Sequence, residues 1–367
     1  MESSRVRWGA FLMLLAVAAC GNTGDNVPLV SPIPDAGTTH PLLVATNRAP
    51  AEDPLERFSG ERAGALAFED VSVWVPADRA PGTIAFPTET PRPETQFATT
   101  AMRSLSGRAE LLANINARLA EAPADEKIVF IFVHGYNVSY AAGLYRQAQM
   151  LEDFQAGGVG MLFSWPSSGR LLGYVYDRDS VQFARDDLAD VISVAAQSNA
   201  ESVFLMGHSM GTLLVMEALR QLSLSGERQV LSRISPLVLA SPDIDVDVFR
   251  LQHDAIEPRP DPFIVMVSQR DNALRVSHTI RGGHPRVGEG QDIQALQEGG
   301  ITVVDLSTLD DDGGIGHTTF ASSPTLIRIF GEVSTMQQTI QEAGNGQSAS
   351  PLEILRIRAG NLLHPPR

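Results

Sequence analysis

The stretch Val203-Phe-Leu-Met-Gly207-His208-Ser209-Met210-Gly211-Thr-Leu-Leu-Val-Met-Glu-Ala-Leu219 decides how the rest of the chain is read. An apolar run leads into G-x-S-x-G, and residues with helical apolar spacing follow. In that setting the two glycines permit a sharp strand-to-helix turn that lifts a serine hydroxyl clear of the backbone. The five-residue pattern alone is within reach of chance in a chain of 367 residues. The flanks single out Ser209 as a candidate nucleophile; without them the segment is an ordinary glycine-rich turn.

Working outward, the same texture repeats. Helix-like Arg108–Glu121 leads into Ile128-Val-Phe-Ile-Phe-Val133, a continuous β-branched and aromatic run of the kind buried on both faces of a parallel sheet. A helix around Tyr140–Phe154 precedes a strand at Val159–Phe163, and a helix around Val181–Gln197 precedes one at Ser202–Met206. Strands at Leu237–Ala240, Phe263–Val267 and Ile301–Leu306 follow the turn at Ser209. Strands alternating with helices imply right-handed crossovers, hence an α/β fold with a mostly parallel sheet and helices on both faces. Upstream, Leu42–Thr46 and Val71–Val75 read as short strands of an N-terminal antiparallel extension, punctuated by Pro and Gly.

Strands ending in His134-Gly-Tyr-Asn137, Phe163-Ser-Trp-Pro166, Gly207-His-Ser-Met-Gly211, Ser241-Pro-Asp-Ile-Asp245 and Ser268-Gln-Arg-Asp-Asn-Ala-Leu274 follow one another, and Gly316-His-Thr-Thr-Phe320 comes last. That order resembles the α/β-hydrolase superfamily. More closely, it is similar to a bacterial family of esterase/lipase-like hydrolases of unknown function. The resemblance runs from about Leu42 to Phe330 and takes in Thr46-Asn-Arg48 and Phe58-Ser-Gly-Glu-Arg62. Phe163–Pro166 and Tyr174-Val-Tyr-Asp-Arg178 are more specific motifs than G-x-S-x-G, yet the resemblance gives them no role. Trp165 and Tyr174 either wall a pocket mouth formed by Ser164–Tyr176 or pack the core.

A serine hydroxyl needs a base within hydrogen-bond reach. Of the eight histidines, His40 and His364 lie in the terminal segments, His134 closes a strand and His208 adjoins the nucleophile. His253, His278, His284 and His317 are left. By resemblance the order is Ser, then Asp, then His on a loop after the last strand, which implies His317. The acid is Asp271, after Phe263–Val267, or Asp243, after the strand before it. Resemblance favours Asp271, while Asp243 or Asp245 suits a helix N-cap before Val246. Oxyanion donors are expected at the backbone N–H of Met210, next to the nucleophile, and of Tyr136 in the His134–Asn137 loop.

Composition narrows the chemistry. Acidic residues give a formal net charge of -15 and are scattered, which argues against a clustered cationic face for nucleic acid. Lys127 is the only lysine, so serine–lysine dyads and Schiff bases have almost no source. The single cysteine, Cys20, excludes intramolecular disulfides and multi-cysteine metal sites. Arg5 and Arg7 precede a short apolar stretch that ends Val17-Ala-Ala-Cys20, which resembles a bacterial lipobox in which the cysteine carries the lipid. Residues 1–19 then form a lipoprotein signal peptide, 20–40 a flexible tether, 41–334 the hydrolase domain and 335–367 a polar, ill-ordered tail with a short helix at Leu352–Ile357. Gly21 after the cysteine favours outer-membrane sorting in a Gram-negative host.

The expected function is a serine hydrolase of carboxylic esters at the cell envelope, working through an acyl-enzyme and needing no cofactor or metal. An acyltransferase would use the same residues, and a non-catalytic envelope binding protein would keep the fold alone. There is no H-E-x-x-H, and Asp310-Asp-Asp312-Gly-Gly reads as a solvated turn.

Overall fold

The computed structural model describes residues 24–170, 172–268, 284–290, 293–307 and 319–322. Cys20, Asp271, His317 and the tail lie outside the described residues.

Among the described residues nine strands form one sheet: β1 Gly37–Pro50, β2 Phe58–Pro76, β3 Ala98–Leu105, β4 Ile128–Val133, β5 Val159–Ser164, β6 Ser202–His208, β7 Ile234–Ala240, β8 Phe263–Val267 and β9 Thr302–Asp305. Their order is β3-β2-β1-β5-β4-β6-β7-β8-β9. Pairs from β1–β5 through β8–β9 are parallel, and only β1–β2 and β2–β3 are antiparallel. The expected parallel sheet with an antiparallel extension is therefore present, with one refinement. β1 opens the antiparallel part yet also lies parallel against β5, with Thr46 opposite Ser164, so the extension continues the sheet.

The longer helices are α1 Arg108–Glu121, α2 Tyr140–Asp153, α3 Tyr174–Ala196, α4 Met210–Leu224 and α5 Val246–Ala255, and shorter ones lie at Arg228–Leu231, Ile293–Glu298 and Thr319–Ser322. Alternation along the strands divides the core in two. Val129, Ile131 and Val133 of β4 pack with Leu111 of α1, Leu188 of α3 and Leu214 of α4 on one face. Phe130 and Phe132 pack with Leu144 and Ala148 of α2 on the other. A strand buried on both faces has no polar register to display, which is why β4 reads as an unbroken apolar run.

Several boundaries differ from expectation. Strands β1 and β2 run well beyond the expected Leu42–Thr46 and Val71–Val75. Helix α3 starts at Tyr174, seven residues before Val181, so the Tyr174–Arg178 motif is its first turn. Of the stretch read as a tether, residues from Gly24 lie against the fold. The Val27 N–H donates to Leu55 O at 2.6 Å and Val30 N–H to Thr99 O at 2.9 Å, and β1 begins at Gly37.

Strand registers bring Arg48, His134, Ser164, Ser209 and Ser241 to one edge of the sheet, at the strand C-termini. In open α/β sheets this is the edge where sites form.

Candidate active site

Ser209 joins β6 to α4 and has φ 53° and ψ -126°, a region that side-chain-bearing residues rarely occupy. The turn is held on both sides of that strain. The Ser209 N–H donates to Ala240 O at 2.9 Å, and the Ser209 carbonyl accepts from Thr212 Oγ1 at 2.6 Å and Thr212 N at 3.0 Å. Its side chain is nearly enclosed, at 3% exposure. Met210 is the first residue of α4, where a backbone N–H has no acceptor within the helix.

The His134–Asn137 loop lies directly on this turn. A Cβ placed on Gly135 would sit 2.9 Å from Ser209 Cβ and 2.9 Å from His208 Nδ1, so only glycine lets the two backbones approach. Asn137 is left-handed, at φ 57°, and turns the chain toward α2. Tyr136 stands beside Tyr174, ring centroids 5.4 Å apart and edge-on, and its hydroxyl donates to Arg170 O. Thus the loop that carries Tyr136 lies beside the turn that carries Ser209 and Met210.

Behind the loop lies a buried polar cluster that the sequence reading did not find. Arg48, from the end of β1, is fully buried and donates to Ser164 Oγ (2.9 Å), Ser59 O (3.1 Å), Ser167 O (2.9 Å) and Val138 O (2.7 Å). Its Nη2 also lies 3.2 Å from His134 Nε2. A guanidinium only donates, so Nε2 is the acceptor and the ring proton sits on Nδ1, which donates to Gly135 O at 2.9 Å. Asp177, in the first turn of α3, accepts from Ser168 N (2.7 Å), Asn137 N (3.3 Å) and the Ser167 hydroxyl. Burial raises its pKa against those bonds.

Burial first, then the Arg48 charge, pushes the His134 pKa down to about 3. Because the folded value lies below the ordinary value of about 6.5, the unfolded chain takes the proton first. The stability contributed by neutral His134 is complete above about pH 6.5 and is lost as pH falls toward 3. Denaturant midpoints of the wild type are therefore expected to drop over that window more steeply than those of His134→Gln. Parallel curves would contradict the assignment.

Trp165 and Tyr174 resolve toward packing. Trp165 is fully buried, stacks on His134 at 5.1 Å, and its Nε1–H donates to His134 O at 2.7 Å. Tyr174 is buried at 8% exposure, and its hydroxyl donates to Asp243 Oδ2 at 2.7 Å. Asp243 Oδ1 also faces Arg286 Nε at 3.3 Å, an ion pair without hydrogen-bond alignment. The helix cap falls to Asp245, whose carboxylate accepts from Asp247 N and Val248 N. His40 is bonded to Glu152, and His253 lies on α5 beside Asp254. Among the described residues no cluster of His, Cys, Asp or Glu is arranged to hold a metal.

No curated protein matches the chain. Among solved structures it is similar to esterase B from Lactobacillus rhamnosis, with 13% identity over 92% of this chain and 96% of that one and a TM-score of 0.36. It is also similar to fungal esterases from Rhizomucor miehei (12% identity, 90% and 89% covered, TM-score 0.35) and to esterase PE8 (15%, 59% and 96%, 0.38). Likenesses this distant say nothing of activity. The family described as alpha/beta hydrolase of unknown function (DUF900) matches residues 108–333, more than half the sequence and the whole span from α1 through the Ser209 turn to the last described strand. With the parallel sheet and the strained serine turn in place, the chain belongs to that family.

Proposed function

We propose that this protein is a serine hydrolase of carboxylic esters. One observation carries the reading: the strained turn at Ser209 is overlaid by the Gly135–Tyr136 backbone at a distance only glycine tolerates. Ser209 Oγ attacks the ester carbonyl while His317 takes its proton. The tetrahedral oxyanion is held by the N–H groups of Tyr136 and Met210. Collapse releases the alcohol with the proton returned by His317, and water then repeats the cycle on the acyl-enzyme. Asp271 orients His317. In support of Asp271 over Asp243, both oxygens of Asp243 already face other partners, Tyr174 and Arg286. The exposed apolar side chains of Leu172 and Val175, near the Tyr136–Arg170 contact, suit an ester with apolar substituents.

The lipid anchor at Cys20 belongs to the same proposal. Gly24 O accepts from Ser139 Oγ at 3.2 Å, two residues beyond Asn137. Four residue steps separate Cys20 from Gly24, at most about 15 Å of chain. An anchor there holds the catalytic edge close to the bilayer, within reach of membrane esters.

The test uses the full chain recovered from membranes. A fluorophosphonate probe should label Ser209, p-nitrophenyl esters should be cleaved with activity falling below about pH 6.5, and the N-terminal peptide should carry acyl mass on Cys20. Labelling elsewhere, or a flat acid profile, would sink the corresponding role. Loss of turnover in Asp243→Asn but not in Asp271→Asn would reassign the acid.

A further inference from the structure

Between Ser209 and the buried cluster stands a single peptide unit, the one joining Gly135 C=O to Tyr136 N–H. A trans peptide is planar with its C=O and N–H on opposite sides, so whatever fixes the carbonyl also aims the amide. The Gly135 carbonyl accepts from His134 Nδ1–H at 2.9 Å. His134 is in turn fixed by Arg48 at Nε2 (3.2 Å), by the stacked Trp165 ring, and by Trp165 Nε1–H on its own carbonyl.

The next two residues are clamped as well. Asn137 N–H donates to Asp177 Oδ2. Val138 N–H donates to Ser167 Oγ at 3.2 Å, and Val138 O accepts from Arg48 Nη2. Ser167 joins the halves, since its carbonyl accepts from Arg48 and its hydroxyl donates to Asp177. The two charged ends thus meet the loop from β1 and from α3, elements that the fold brings together at the sheet edge.

We propose that His134, held by Arg48 and seconded by Asp177, is a positioning residue that sets the orientation of the Tyr136 N–H toward the oxyanion. It acts through the Gly135 carbonyl and touches neither substrate nor Ser209. Neutral imidazole is required, because the same ring accepts from Arg48 and donates to Gly135. The design explains why a histidine one residue from the oxyanion loop is sealed from solvent (1% exposure), where it has no access to act as a base. The inference rests on the serine-hydrolase reading above and deepens it.

His134→Phe keeps a ring against Trp165 but removes the donor. It is expected to lower kcat on p-nitrophenyl esters about 10- to 100-fold, with KM within threefold, since an oxyanion donor acts in the transition state. Affinity for a trifluoromethyl ketone, which forms the oxyanion, should fall in step with kcat/KM, while that for a non-reacting ester analogue stays level. His134→Gln retains an acceptor for Arg48 and a donor for Gly135 and should recover part of the loss. Ser167→Ala, a smaller lesion should the histidine variants fold poorly, is expected to lower kcat two- to tenfold with the same KM pattern. Variants that unfold more easily yet keep kcat and ketone affinity within twofold would overturn the proposal and leave a purely structural cluster. A wild type that neither labels nor turns over would instead overturn the hydrolase reading.

Discussion

Replacing Ser209 with glycine is expected to abolish turnover and, in the same protein, raise the unfolding temperature. The two effects have separate causes. Removing the nucleophile of a serine triad costs at least about a thousandfold in kcat, because no other group forms the acyl-enzyme. Stability moves the other way because Ser209 sits at φ 53°, ψ -126°, a conformation that costs a side-chain-bearing residue about 1–3 kcal/mol. Glycine has no Cβ to strain, although its greater freedom in the unfolded chain returns about 0.5–1 kcal/mol of that gain. The net of about 1 kcal/mol corresponds to a rise of about 1–2 °C for a domain of this size. Ser209→Ala is the control, equally inactive but still strained. Thermal unfolding of the three proteins, followed by circular dichroism, decides the matter. Glycine melting no higher than alanine would show that the turn stores no strain.

Much of this site was legible because its parts are local in the chain. The strained Ser209 turn has glycines at two fixed offsets from a serine, bracketed by an apolar run and a helical period, and all of that lies within Val203–Leu219. The strand at Ile128–Val133 and the helix at Arg108–Glu121 appear at the residues their patterns mark. The position of the loop carrying Tyr136 follows from its place at the end of a buried strand. What local pattern does not carry is partnership across the sheet. Arg48 meets His134 from 86 residues away and Ser167 from 119 away, and a lone arginine after an apolar strand looks like a solvated strand end. Asp177 is hidden for a related reason: its motif begins α3, but the sequence pattern places the start of that helix only at Val181, so the carboxylate does not read as part of a helix turn. The edge strand Ala98–Leu105 escaped because it is half polar, paired with β2 on one side and bridged on the other only at Thr99 by the chain around Leu29.

The two glycines of G-x-S-x-G look equivalent in sequence, and the structure makes them sharply unequal. A Cβ on Gly211 would lie 2.2 Å from His134 O and 2.6 Å from Val133 O, backbone atoms that end β4 and begin the His134–Asn137 loop. To reach even 3.0 Å the His134 carbonyl must retreat by about 0.8 Å. It cannot do so freely, since it accepts from Trp165 Nε1, which is fully buried. A Cβ on Gly207 would meet Thr212 Cα and Val215 Cγ2 at 3.1 Å, which a few tenths of an ångström relieve. Gly211→Ala is therefore expected to destabilise the fold by about 3 kcal/mol, at the upper end for overpacking. It should also lower kcat about 100-fold, the scale associated with a 1 Å misplacement in an active site. Gly207→Ala should stay within about 1 kcal/mol and a few-fold in kcat. Denaturant midpoints and kcat of the paired variants measure both. Equal losses at the two positions would mean that the His134–Asn137 loop yields independently of α4, and that the close approach at Gly211 has no bearing on catalysis.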